Sequence, residues 1–424
     1  MEVKNDTSQQ GGLADALNHW QAGEVWFRGL IPLQQPWGRE ELLEAVPDSA
    51  KGSFGARIGE PISLDGQHYQ AGEIVVVDSH ADFVRLLRGL SKATDLLFPW
   101  YDRLVPISLV SAHARQIDGE RYRADLRDRF FKSFLLTAGL IGAGLYFQEF
   151  RMLALLMATM YGLFPLVEAS MSWFLRVDRL PVEELNRRLV NFEFFRRWLA
   201  TRRSPMLTVS IGLLVVVFLG QVFAGLGPSI EAAALVKGKV TSAGEWWRLV
   251  TTGLMHGSLV HLLFNGMALY NLGRVMVALV NPSLLSFVFL ITVITGSLAS
   301  LYLGPAQPSV GASGGILGCL GFLLVVTAKF RSLLPGFLRA SLIQSTIVVS
   351  IFGLLGSAFI DNAAHAGGLI GGVGLGCLMF PWLRLAPVAS KSAARSLSAL
   401  SLTVLAFGVA KIAWELWEIA GIGK

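Results

Sequence analysis

Val310-Gly311-Ala312-Ser313-Gly314-Gly315-Ile316-Leu317-Gly318 opens an apolar run that continues to Ala328. A serine between glycines is an ordinary turn in a water-soluble chain. Here it stands at the mouth of a segment long enough to cross a bilayer, which takes about 20 apolar residues. A helix start exposes unpaired backbone N–H groups and the positive end of the helix dipole. A hydroxyl at that point has anion-stabilising donors beside it. A base for it must come from elsewhere in the membrane, and His365, in Ala364-His365-Ala366-Gly367-Gly368, opens another apolar run.

The composition agrees with a membrane setting. Of 424 residues, 53% are hydrophobic and 16% charged, whereas soluble domains carry about 25% charged residues. The net charge of +6 fits basic loops on one membrane face. No basic stretch comes with a nucleic-acid reader motif, so no nucleic-acid partner is expected. Cys319 and Cys377 both fall inside apolar runs and read as small packing residues, so neither a disulfide framework nor a metal site is expected. Met1 to Gln10 is polar with no short apolar stretch after it, which reads as no cleavable signal peptide.

Toward the N-terminus, residues 1–125 read as a soluble α+β region. Residues 73–77 read as a strand, Asp78 or Ser79 as the cap of a helix whose apolar face is Phe83, Leu86, Leu87 and Leu90. His19, His68, His80 and His113 are scattered without ligand or catalytic spacing. Arg121, Arg123, Arg127, Arg129 and Lys132 crowd the approach to a membrane hairpin over 134–147 and 152–174. Its first leg is short and its second carries Glu168, so a re-entrant or surface-lying pair is the alternative. Over 176–203, Leu185, Leu189, Phe192, Phe195 and Leu199 form an apolar stripe flanked by arginines. That pattern suits an amphipathic helix on an anionic surface or on the soluble region.

Further spans are expected at about 206–226, 252–279, 284–303, 310–328, 342–359, 362–383 and 397–419. In the long connection between the first two, Trp246-Trp247-Arg248 reads as an interfacial anchor, indole at the headgroups and guanidinium snorkelling outward. In the last span Lys411 and Glu415 are i,i+4 partners. If each run crosses once, Arg202, Arg203, Arg274, Lys329, Arg331, Arg339, Arg384, Lys391 and Arg395 share one face. That face is then cytoplasmic, with the N-terminal region on it. Ser313 and His365 fall near the opposite, non-cytoplasmic face, although charge counting made no use of them.

A third descending span carries His256, His261 and Asn265, the last two sharing one helical face. His261, Asn265 and the backbone N–H of Ser313 are donors able to stabilise the oxyanion formed when a serine attacks an amide carbonyl. His365 would take the serine proton and return it to the leaving amine. Gly311, Gly314, Gly315, Gly318 and Gly321 thin the serine helix, and Gly367, Gly368, Gly371, Gly372, Gly374 and Gly376 thin the histidine helix. Small residues let helix backbones approach closely in lipid. Asp361 reads as the cap of the histidine helix rather than the third member of a triad. Each signal alone has a plainer reading as helix packing. Three histidines in membrane segments together point to chemistry.

Three stretches carry a family resemblance. They are Glu245-Trp246-Trp247-Arg248 followed by Met255-His256-Gly257-Ser258-Leu259-Val260-His261-Leu262-Leu263-Phe264-Asn265, then Gly311-Ala312-Ser313-Gly314, then Ala364-His365-Ala366-Gly367-Gly368-Leu369. In order and spacing they resemble a rhomboid intramembrane serine protease over about residues 205–385. The resemblance implies Ser313 as nucleophile, His365 as general base, and His261 and Asn265 in the oxyanion hole. It implies that the Trp246-Trp247-Arg248 loop is membrane-embedded, that residues 342–359 form the lateral gate for a substrate helix, and that 360–364 lie over the aqueous entrance. Many relatives have a tyrosine one turn after the serine, stacked on the histidine; here that position is Leu317.

The expected chain is thus an all-α polytopic membrane protein. A soluble cytoplasmic region (1–125) leads into a transmembrane hairpin and amphipathic linker (126–204). A six-helix rhomboid-like core (205–385) and an extra C-terminal transmembrane helix (386–424) follow. The expected function is a Ser-His dyad endopeptidase that cuts transmembrane protein substrates in the lipid bilayer. It takes no cofactor or metal, with Trp246, Trp247, Arg248 and His256 as substrate-binding or loop anchors. The alternative is a catalytically silent scaffold that binds membrane helices.

Overall fold

The computed structural model describes residues 44–181, 204–381 and 391–421, apart from short stretches at 65, 91–92, 98–103, 107–118, 281 and 332–333, with single positions between 182 and 203. Of the stripe expected over 176–203, Leu185, Phe195 and Leu199 are helical, with Leu185 and Phe195 buried, while Leu189 and Phe192 lie outside the described residues. The chain divides into two compact units: residues 1–135, 165–201 and 331–340 in one, and 136–164, 202–330 and 341–424 in the other.

In the first unit, strands β1 (Phe54–Ile58), β4 (Ile74–Val77), β5 (Ala93–Leu97) and β6 (Val105–Pro106) form an antiparallel sheet in the order β4-β1-β5-β6. β2 (Ile62–Leu64) and β3 (Gln67–Tyr69) make a separate hairpin. Helix α1 (His80–Gly89) begins where Ser79 accepts a hydrogen bond from the Asp82 N–H, as the sequence predicts. Its face of Phe83, Leu86, Leu87 and Leu90 is buried, and Phe83 stacks on Phe54 at 5.3 Å. Arg57 bridges Glu44 at 2.7 Å and Asp95 at 3.4 Å, which holds the Glu44 carboxyl below its ordinary range.

The hairpin differs from expectation. Its first leg is the C-terminal part of one long helix, α2 (Gly119–Tyr146), whose basic N-terminal half precedes Phe134. The 13 positions left, from 134 to 146, span only about 20 Å, short of a hydrocarbon core of about 30 Å. The second leg, Leu153–Phe174, is long and apolar enough to cross. It runs as α3 (Arg151–Met157), a π-helical turn (Ala158–Leu163) and α4 (Phe164–Phe174). Glu168 on α4 pairs with Arg129 at 3.6 Å, which compensates a carboxylate inside an apolar helix.

The second unit holds the remaining membrane helices. Pro205, just after the Ser204 cap, starts α5 (Pro205–Ala224). Three short helices follow: α6 (Leu226–Ala233), α7 (Lys237–Ala243) and α8 (Arg248–Thr251). Then come α9 (Leu259–Leu279), α10 (Pro282–Leu303), α11 (Ser313–Lys329), α12 (Gly336–Leu355), α13 (Asn362–Met379) and α14 (Lys391–Ile419). Six described helices are long and apolar enough to cross a membrane: Leu153–Phe174, α5, α9, α10, α12 and α14.

Two expected spans are different in kind. α11 is shorter, and 12 of its 17 residues are buried, so it runs through the middle of the bundle rather than along lipid. A 17-residue helix is about 25 Å long, less than the hydrocarbon thickness of about 30 Å, so it cannot reach both membrane surfaces. α13 falls outside the six because glycine and His365 replace large apolar residues. Its Gly368 and Gly372 back directly onto the carbonyls of Gly314 and Gly318 on α11, too close for any side chain. Its Gly367 and Gly371 back onto Ala299 and Thr295 of α10. Gly374 faces open space, so it does not thin the helix against a neighbour. Thr292 and Thr295 of α10 donate to Gly315 and Gly367 carbonyls and cross-link the three helices. α14 is tied on by Ser398 with Ser286 at 3.1 Å, and carries the Lys411–Glu415 pair at 2.6 Å.

Candidate active site

Ser313 is the first residue of α11, and its side chain does not cap that helix. His365 lies one turn inside α13. Across the two helices His365 Nε2 is 2.8 Å from Ser313 Oγ. The glycine contacts between α11 and α13 permit this, because a side chain at 368 or 372 would push the helices apart. With Nε2 accepting from the hydroxyl, the imidazole proton sits on Nδ1.

The approach to Ser313 is pinned by four hydrogen bonds to the long connection. Leu235 and Ser309 exchange backbone bonds of 3.1 and 3.2 Å, Thr252 Oγ1 donates to the Ser309 carbonyl at 2.6 Å, and the Gly311 N–H donates to the Thr252 carbonyl at 2.9 Å. At the other partner, Asp361 caps α13 by accepting from the Ala364 N–H at 2.9 Å, and its second oxygen accepts from Ser300 of α10. Both of its oxygens have these partners, in agreement with a capping role. Nearby on α7, burial pushes the Lys237 amine below its ordinary value, and the Asp361 charge opposes that.

His261 and Asn265 lie one turn apart on α9 and face the serine's turn. A Cβ built on Gly311 would lie 2.7 Å from His261 Nε2 and 3.4 Å from Asn265 Nδ2. The Asn265 amide nitrogen is buried and has no hydrogen-bond partner. A buried amide donor normally finds an acceptor, and this one has none within the fold among the described residues. Dyad and donors therefore converge on one spot.

His256 is not on the helix that carries His261. α9 begins only at Leu259, capped by Ser258 on the His261 N–H at 3.2 Å, and residues 252–258 form a strap rather than part of a span. The reason lies on α5. Fully buried Gln221 donates to the His256 carbonyl at 3.0 Å and accepts from the His256 N–H at 2.9 Å, taking both groups out of any helical ladder. The His256 ring still reaches His261, edge to face, with ring centres 5.2 Å apart. Gln221 was legible only as a polar residue in an apolar span, a common sign of an interhelical bond; nothing in the sequence names its partner.

The anchor reading of Trp246-Trp247-Arg248 needs correction at Arg248. Its guanidinium does not snorkel outward: the residue is 1% exposed, bonded to Glu245 at 2.5 Å and to the Ala234 carbonyl at 2.7 Å. Satisfying two carbonyl-bearing partners inside the loop outweighs hydration here. Trp247 lies between two cations, Arg248 at 4.5 Å and Lys411 of α14 at 4.9 Å from its ring centre. Trp246 is exposed. These contacts hold the loop together and to the last helix. Leu317 is buried in α11.

A family model described as the rhomboid domain matches residues 243–382, the stretch that holds Ser313, His365, His256, His261, Asn265 and Trp246-Trp247-Arg248. Rhomboid protease GluP of Bacillus subtilis (strain 168) is 39% identical over 185 residues, covering 42% of this chain and 34% of GluP. RHOMBOID-like protein 9, chloroplastic, of Arabidopsis thaliana is 30% identical over 145 residues, 34% of this chain and 33% of that protein. Inactive RHOMBOID-like protein 8 of the same plant is 30% identical over 149 residues, 34% of this chain and 42% of that one. The match thus spans about a third of the length of GluP and of the chloroplastic relative. With six helices among the described residues fit to cross a bilayer, this is a multi-pass membrane protein. Its residues 243–382 are a rhomboid domain.

Proposed function

We propose that the chain is an intramembrane serine endopeptidase that cuts other membrane proteins in or beside their transmembrane segments. The observation that carries this is the 2.8 Å approach of Ser313 Oγ to His365 Nε2 beside an unpartnered, buried Asn265 donor. Ser313 Oγ attacks the carbonyl carbon as His365 Nε2 takes its proton. The carbonyl oxygen, now negative, accepts from Asn265 Nδ2, His261 and the Ser313 N–H. Collapse expels the amine, which leaves with the proton from His365, and water then hydrolyses the acyl-serine by the same route. A substrate helix hides its carbonyls in its own hydrogen bonds, so it must unwind locally first. Small or helix-breaking residues near the outer end of a substrate span favour that. α12 is read as the lateral gate.

A second reading has an observation behind it, since one relative of similar identity is named inactive. A silent scaffold would bind membrane helices without cutting them. The test is cleavage of a single-span reporter in membranes by wild type beside Ser313→Ala, with a fluorophosphonate label on the serine. The protease reading requires labelling and cutting by wild type and neither by the variant. A folded wild type that binds the reporter but takes no label would establish the scaffold instead.

A further inference from the structure

α12 is loosely held for a helix of this bundle. Only 22% of its apolar window is buried, against 67% for α10. Two side-chain hydrogen bonds stand out along it. Near its end, Asn362 of α13 donates to the Gly353 carbonyl at 2.8 Å. Near its middle, half-buried Gln344 donates through Nε2 to the Phe164 carbonyl at 2.7 Å. Phe164 belongs to the added Leu153–Phe174 helix, at the point where its π-helical turn ends and α4 begins. That turn is itself packed tightly, because Gly162 backs onto Thr137 of α2 with no room for a side chain. π turns inside helices are frequent at functional positions.

We propose that Gln344 is a positioning residue that braces α12 against this added hairpin and thereby restricts sideways passage of bilayer-borne substrates to Ser313. The inference rests on α12 being the gate of the protease proposed above. It predicts a distinction between substrates. A transmembrane segment must part α12 from its neighbour, whereas a water-borne peptide carrying the same cut sequence need not. The Gln344 bond resists the first route alone. Interhelical hydrogen bonds in membranes average about 0.6 kcal/mol, equivalent to about threefold in an open–closed equilibrium.

The test uses the full chain in proteoliposomes with two substrates, a single-span reporter and the soluble peptide of its cut sequence. Fluorophosphonate labelling of Ser313 comes first; absence of label rejects the protease reading and leaves the brace without a gate. Given label, Gln344→Leu removes the donor at nearly constant volume. Gly162→Ala loosens the hairpin independently by colliding with Thr137. The expected result for each is a rise of about threefold in kcat/KM on the reporter, expressed in KM, with peptide cleavage unchanged. Gln344→Met should repeat Gln344→Leu. Unchanged or slower reporter cleavage, or equal changes on both substrates, would overturn the brace.

Discussion

A methyl group at position 311 has nowhere to go. Its φ of +126° is one that L side chains rarely adopt, and the Cβ would press on the His261 ring at 2.7 Å. Gly311→Ala should therefore move His261 and Asn265 off the spot beside Ser313 while leaving the Ser313–His365 pair on its own two helices. Loss of an oxyanion donor costs about 10²–10³ in kcat. The expected outcome is a loss of that order on the reporter with the fold retained, checked by thermal unfolding alongside kinetics. At Arg248 the expectation is reversed: Arg248→Ala should act on the fold first. The substitution removes a buried guanidinium and leaves the Ala234 carbonyl without its donor, a cost of about 1–3 kcal/mol, and a lowered unfolding temperature with a proportionate loss of activity would register it. Retained stability would mean the loop does not depend on this side chain. The two residues also mark what sequence can tell. Ser313 and His365 stand out in the sequence because a hydroxyl and an imidazole each open an apolar run long enough for a bilayer. Arg248 was misread, because an arginine beside tryptophans looks the same whether its partners are lipid headgroups or loop carbonyls.

Glycines on α13 illustrate the same limit one level up. The sequence shows a row of them and rightly implies close helices, but it does not say which face meets which neighbour. In the fold Gly368 and Gly372 meet α11, Gly367 and Gly371 meet α10, and Gly374 meets nothing. Gly372→Val would drive a side chain into the Gly318 carbonyl, a backbone atom that cannot turn aside. Overpacking of this kind costs about 1–3 kcal/mol or more. The variant should unfold at lower temperature and lose fluorophosphonate labelling as the 2.8 Å Ser313–His365 contact opens. Gly374→Ala, on the open face, should do neither; equal effects from the two would show that helix propensity rather than interhelical contact governs α13. Helix starts were legible where a cap stands in the sequence, at Ser79 and Asp361. The start of α9 was misjudged by several residues because the apolar strap 252–258 matches a span in composition. What breaks it is Gln221, a residue on another helix.

At the scale of the whole chain, the bilayer adds the constraint that decides where the chemistry faces. From α5 onward the helices alternate in direction if each crosses once. Arg274, Lys329, Arg331, Arg339, Lys391 and Arg395 then share one side with Arg202 and Arg203. The opposite connections hold Lys237, Lys239 and Arg248. Orientation is set by basic residues free to interact with the cytoplasmic face. Arg248 is buried and bonded to Glu245, so it adds little to the opposing count. The bias is therefore stronger in the folded protein than the bare sequence implies. By that rule the 304–312 and 356–361 connections, with the Ser313 and His365 helix starts, are expected on the non-cytoplasmic side. The prediction is read with a membrane-impermeant maleimide on intact cells, in a background with Cys319 and Cys377 replaced by alanine. A cysteine at exposed Ser357 should label in intact cells. One at exposed Arg331 should label only after lysis. The reverse pattern would put the dyad on the cytoplasmic face, and substrates would then have to present their scissile segments from that side.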